Sequence, residues 1–139
     1  PSRKRNFVRL LFTDPDMRTL YVAWESVAHA CVRQLRTEGA KCPGDARLAE
    51  LVGELSVVDE QFRRWWGAPR ATPVPVGTRT LRHPLVGELV LNWESFTCTA
   101  DPEQSLVIWA PEAGTPSRDS LQLLSSWITQ PPGSLTSAP

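Results

Sequence analysis

The feature that most constrains this chain is a change of hydrophobic period near Gly77. Before it, apolar residues recur at intervals of three and four, as one face of a helix requires. After it they alternate every second residue, as a half-buried strand requires. From Asp16 to Arg36 the apolar positions are Met17, Leu20, Tyr21, Trp24, Val27, Ala28, Cys31, Val32 and Leu35. They form one unbroken helical stripe. The spacing predicts a single helix of roughly 30 Å, started by Asp14-Pro15 and stopped at Gly39. Phe7 to Phe12 predicts a short helix ahead of it. After Pro43-Gly44, Asp45 can cap a helix whose face is Leu48, Leu51, Val52 and Leu55. Ser56 and Asp59 resemble a capping box, which predicts a third helix with Val58, Phe62, Trp65 and Trp66 on one side. Pro69, Pro73 and Pro75 end it and force an extended segment.

Beyond Gly77, Thr78 to His83 reads as a strand closed by Pro84. Val86 to Phe96 is a stronger one, because Leu89, Leu91 and Trp93 alternate with Glu88, Val90, Asn92 and Glu94. Ala100-Asp101-Pro102 is a turn, and the apolar run from Ser105 to Trp109 reads as a central strand. Thr115-Pro116 opens a closing helix with Leu121, Leu124, Trp127 and Ile128. The Pro-, Gly-, Ser- and Thr-rich tail, 130–139, is expected to be disordered. Helices first, then a short antiparallel sheet, then a closing helix predict an α+β domain over residues 6–129.

Composition narrows the function. At 139 residues the chain suits one domain able to bury about two-thirds of its unfolded surface, with no metal or disulfide needed. Fifteen basic and 15 acidic residues give zero formal charge, which argues against binding nucleic acid through bulk charge. No apolar run approaches the ~20 residues of a membrane span. The start at Pro1 without Met suggests a fragment or processed product. Cys31, Cys42 and Cys98 form no CxxC and share no ligand spacing with His29 or His83, so no metal is expected. Free thiols suit a reducing cytoplasm.

Several stretches together resemble the C-terminal domain of the MmyB-like branch of XRE-type transcription regulators. They are Leu10-Leu11-Phe12-Thr13-Asp14-Pro15, Tyr21-x-x-Trp24-Glu25, Leu51-Val52-Gly53-Glu54-Leu55-Ser56-Val57 and Phe62-Arg63-Arg64. Leu81-Arg82-His83-Pro84-Leu85-Val86-Gly87-Glu88-Leu89 and Gly114-Thr115-Pro116-Ser117 follow in the family's order. The resemblance implies a PAS-like fold that binds a hydrophobic small molecule, with fatty acid the expected class. It also implies an N-terminal helix-turn-helix domain that is absent from residues 1–139, leaving 1–5 as the end of a linker. Where relatives have Trp-x-x-His-x-Val, this chain has Trp66-Gly67-Ala68-Pro69-Arg70-Ala71, and Trp93 and Trp109 resemble replacements of Tyr.

The candidate ligand-binding residues are Phe62, Trp65, Trp66, Arg82, His83, Trp93 and Trp109. Aromatic walls suit an apolar ligand, and the same residues could equally be core packing. Arg82 and His83, with Arg79 if the strand twists it inward, could hold a carboxylate; a solvated strand end is the plainer reading. Glu25 and His29 are expected to form a surface pair at i, i+4. Arg3-Lys4-Arg5 reads as linker. No Ser or Cys stands in sequence beside a His with an orienting acid, so a hydrolase is not indicated. The expectation is a non-enzymatic ligand-sensing domain of a bacterial transcription regulator, working as a homodimer. The alternative is a dimerisation or protein-interaction module with no pocket.

Overall fold

A computed structural model describes residues 6–68, 76–102 and 104–129. Five helices precede the sheet: α1 (Phe7–Thr13), α2 (Pro15–Leu20), α3 (Trp24–Lys41), α4 (Ala46–Val58) and α5 (Glu60–Gly67). Strands β1 (Val76–His83), β2 (Gly87–Thr97) and β3 (Ser105–Ala110) follow, and α6 (Pro116–Thr129) closes the chain. The α+β expectation holds. Residues 1–5, the proline segment 69–75 and the tail 130–139 lie outside the described residues.

The long helix expected from Asp16 to Arg36 is instead two helices. Asp14 and Pro15 do start α2, with the Asp14 carboxylate accepting from the Asp16 N–H at 2.9 Å. At Tyr21 the backbone turns extended (φ −87°, ψ 117°), and α3 begins at Trp24. Tyr21 makes an isolated antiparallel bridge to Leu81, and the Val22 N–H donates to the Thr80 carbonyl at 3.1 Å. A strand edge outbid the local helical preference here, which periodicity cannot register. Gly39 does not stop α3, which runs to Lys41. A Cβ at Gly39 would sit 2.6 Å from Leu48 Cδ2, so the glycine serves the close approach of α4. The third helix starts at Asp59, not Ser56. Asp59 ends α4 and caps α5, its Oδ1 accepting from the Phe62 N–H at 2.8 Å. Val58, expected on the apolar face, is exposed.

The helices enclose a core of Leu11, Phe12, Tyr21, Trp24, Val27, Ala28, Val32, Leu51, Leu55 and Phe62. Phe12 sits edge-on to Trp24 and Phe62, with centroids 5.6 and 5.1 Å away. The Trp24 indole donates to the Leu11 carbonyl at 2.9 Å, which satisfies its one polar atom. Arg18 lies over the Trp24 ring at 3.8 Å and pairs with Asp59 at 2.7 Å. Helix α5 packs on α3 and α4, while the sheet meets the helices mainly through α2 and α6.

The sheet is antiparallel in the order β1-β2-β3. β1 starts two residues earlier than expected, β2 is shifted one residue later, and β3 runs one residue further. The hairpin from β1 to β2 uses Gly87 at φ +76°, a conformation that suits glycine. The Ser105–Trp109 run is not a central strand: β3 is an edge, and all six of its residues are exposed. A charge-free run matches either position, and the number of strands decides between them. β3 pairs with β2 only from Asn92 onward. The Val90 N–H, past its end, donates to the Ser117 hydroxyl of α6 at 2.9 Å. Among the described residues no helix is long and apolar enough to cross a membrane.

Asp59→Ala should destabilise the domain by about 1–2 kcal/mol, the worth of a good helix cap. Asp59→Asn should cost less, because its amide oxygen still caps α5 while the Arg18 pair is lost. Arg18 is 44% exposed, so that pair contributes little. Urea unfolding of both variants measures the difference, and equal losses would shift the weight from the cap to the ion pair.

Candidate functional site

Paired residues of antiparallel strands share a face. The register puts Gly77, Arg79 and Leu81 of β1 beside Trp93, Leu91 and Leu89 of β2, and Trp93 beside Trp109 of β3. Leu81 packs on the helical core, so this face meets the helices. Leu89 and Leu91 are buried. The Arg79 guanidinium stands 5.5 Å from the Trp93 ring centroid, and Trp93 and Trp109 lie 6.4 Å apart. The same guanidinium acts on Tyr21 and Cys31 from the helical side. Burial pushes the Tyr21 phenol up and the Cys31 thiol up to about 11, and Arg79 draws both back down. Arg79 and Trp93 thus stand on the sheet face that meets the helical layer, which joins β1 through Tyr21 and Leu81.

Two features of the junction suit a ligand. The Trp93 Nε1 is buried and has no hydrogen-bond partner among the described residues. Gly77 makes room for it, since a Cβ there would sit 2.9 Å from that nitrogen. A buried N–H without an acceptor costs about 1–3 kcal/mol. A cavity of about 240 Å³ opens between the start of α3 and β1, and Arg79 is the residue it shares with the Trp93 contact. It is lined by Val22, Ala23, Ser26, Val27, Thr78, Arg79 and Thr80. A shallower depression lies on the outer flank of the same corner, against Arg18, Tyr21 and Trp24.

The residues singled out in the sequence fall into separate groups. Phe62 has no exposed surface and belongs to the helical core. Trp66 stacks on it at 5.9 Å, and Trp65 packs against Phe12, Trp24 and His29. Trp93 and Trp109 lie together on the sheet. Arg82 is exposed on the opposite face, across from Glu88. His83 ends β1, its Nδ1 accepting from the Leu85 N–H at 3.2 Å. Glu25 does not pair with His29; it accepts from Gln61 at 2.9 Å, while His29 lies against Trp65. Tyr21 and Cys31 read in sequence only as members of the helix stripe, and nothing in that pattern marks them as facing the sheet. Arg79 was legible in part, because two-residue alternation sets it with Leu81 and opposite Arg82. No group of three or more His, Cys, Asp or Glu able to hold a metal occurs among the described residues.

A sequence model of the MmyB-like transcription regulator ligand binding domain matches residues 1–124. The chain belongs to this family. No curated protein matches it. The matched span of this MmyB-like domain takes in the helical core, the whole sheet and α6 as far as Leu124. The junction, with Arg79 and Trp93 on its sheet face, therefore lies wholly inside the family's ligand-binding unit.

The three thiols should separate by reactivity. Cys42 and Cys98 are exposed, whereas Cys31 is held at about 11 by burial. At pH 8 only about one Cys31 in a thousand is thiolate. A thiol reagent should therefore modify two cysteines quickly and the third only slowly or in denaturant. Three equally fast thiols would show that the junction is open to solvent.

Proposed function

We propose that this domain senses a fatty acid or similar amphipathic acyl molecule and passes its occupancy to the DNA-binding domain of a bacterial transcription regulator. The observation that carries the reading is the unmatched Trp93 indole N–H beside Arg79, at the junction of sheet and helices. A ligand carboxylate would accept from both, turning a buried cost into a charge-assisted contact. Arg79 is better placed for this than Arg82, which is on the other face. The acyl chain would lie along Tyr21, Val27 and Leu81, toward the half-buried Trp65 and Trp66 and with Phe62 behind them.

The cavity of about 240 Å³ falls below the ~300 Å³ at which pockets usually begin to bury a drug-sized ligand. Longer chains would have to part the layers at the α2–α3 corner, working against the Tyr21–Leu81 bridge and the Val22–Thr80 hydrogen bond that fasten them there. That movement would shift α1 and α2, the elements nearest the N-terminal helix-turn-helix domain implied by the resemblance. In a cytoplasmic homodimer it would alter the relative placement of two such domains. A short antiparallel sheet with one face toward helices also supports the PAS-like reading of the fold.

Tryptophan fluorescence titrated with acids of increasing length tests this. Each added pair of methylenes should gain about 1.6 kcal/mol, or roughly fifteenfold in affinity, until the space is full. Arg79→Ala should weaken acids more than the matching alcohols, and Arg82→Ala should affect neither. A flat response at every length would leave an interaction module without a pocket. Chain-length dependence with no acid-specific loss in Arg79→Ala would keep the ligand and reject the anchor.

A further inference from the structure

We propose that β3 is a dimerisation edge: two copies of this chain join their β3 strands antiparallel about a two-fold axis through Val107, making one continuous six-stranded sheet. The inference rests on the homodimer in the reading above and not on its ligand.

The backbone directions follow from two hydrogen bonds. The Cys98 N–H donates across to the Gln104 carbonyl at 3.0 Å, and the Val90 N–H points the same way, toward Ser117. Even-numbered residues of β2 therefore direct their amides toward β3. By the alternation of an antiparallel ladder, their partners Leu106, Ile108 and Ala110 bond inward. Ser105, Val107 and Trp109 then turn their N–H and C=O groups outward, on the edge that no described strand covers.

Edge strands are ordinarily protected by charges, prolines or bulges. From Gln104 to Ala110 this one carries none. Leu106 is 62% exposed, Val107 45% and Ile108 47%. Both faces of the strand are apolar, the composition of a strand with neighbours on both sides.

A second copy fits this edge better than an arbitrary strand because the edge complements itself. Pairing about Val107 sets Ser105 of each copy opposite Trp109 of the other, a small residue against the largest. Leu106 then meets Ile108, and Val107 meets its own counterpart. All six outward N–H groups, three from each copy, find carbonyls. No charge on either strand opposes another. Moving the axis to Ile108 would crowd Trp109 against Val107 and set Ser105 opposite Pro111, which has no N–H to donate.

Sedimentation at micromolar concentration should give twice the 15.5 kDa mass of the chain. Val107→Pro should halve that mass and keep the circular dichroism spectrum, because proline is tolerated at an edge residue whose amide faces solvent. With Cys42 and Cys98 replaced by serine, Val107→Cys should cross-link to itself under mild oxidation, and Ile108→Cys should not. Hydrogen exchange on the unaltered protein should show the amides of Ser105, Val107 and Trp109 protected. A monomer, a dimer that survives Val107→Pro, rapid exchange of those three amides, or self-linking at 108 instead of 107 would each overturn the proposal. A monomer whose β3 amides are nonetheless protected would instead place another segment of the chain on the edge, which also overturns it. Acyl titration of Val107→Pro separates the two readings: binding should persist in the monomer, and its failure there and in the parent protein alike would count against the ligand alone.

Discussion

The architecture depends on one short interruption of helix, where Tyr21 and Val22 leave the helical path to meet β1. Two long-range contacts do this: the Tyr21–Leu81 bridge and the Val22 N–H bond to the Thr80 carbonyl. They fasten the helical layer to the sheet's first strand. After them α3 starts afresh at Trp24, which is seated in the core. A straight helix through Tyr21 would gain a few local hydrogen bonds and lose the attachment of the sheet. The corner is also where the cavity lies, so the contact that joins the layers bounds the space between them.

The aromatic residues show how the two layers differ. In the helical layer the Trp24 indole is buried and its N–H has the Leu11 carbonyl. Phe12 and Trp65 pack on its ring, and Phe62 and Trp66 extend the cluster behind Phe12 with edge-on and stacked contacts. At the junction, the Trp93 N–H is equally buried and has no acceptor among the described residues. The same chemical group is satisfied within the helical core and unsatisfied on the sheet face that meets the helices. Arg79, 5.5 Å from the Trp93 ring centroid, supplies the charge at that point, and its field draws the Tyr21 and Cys31 groups back down.

Much of the fold was legible in the residues, because the signals involved are local. The period change at Gly77 separates helices from sheet, Asp45 caps α4, and Thr115-Pro116 opens α6, all as the structure has them. The errors share a cause. Ser56 and Asp59 both have capping chemistry, and only the Phe62 N–H bond shows which one acts. Gly39 reads as a stop because glycine often is one, yet its lack of a side chain serves Leu48, nine residues on. For the candidate site, Trp93 and Trp109 were identified and are adjacent, whereas Phe62, Trp65 and Trp66 are gathered in the other layer.

What the sequence alone determined is what one segment can settle by itself: the period of each element, its caps, its apolar face, the zero charge, and the ordered motifs that resemble the family. What only the tertiary structure decided is which segments become neighbours. It broke the stripe at Tyr21, turned Arg79 toward the helices and Arg82 away, kept α5 off the sheet and left β3 as an edge. Each of these depends on contacts between residues far apart in the chain, such as Tyr21 with Leu81. Their energy is set by packing and strand pairing across the fold, and a pattern read along the chain carries no record of it.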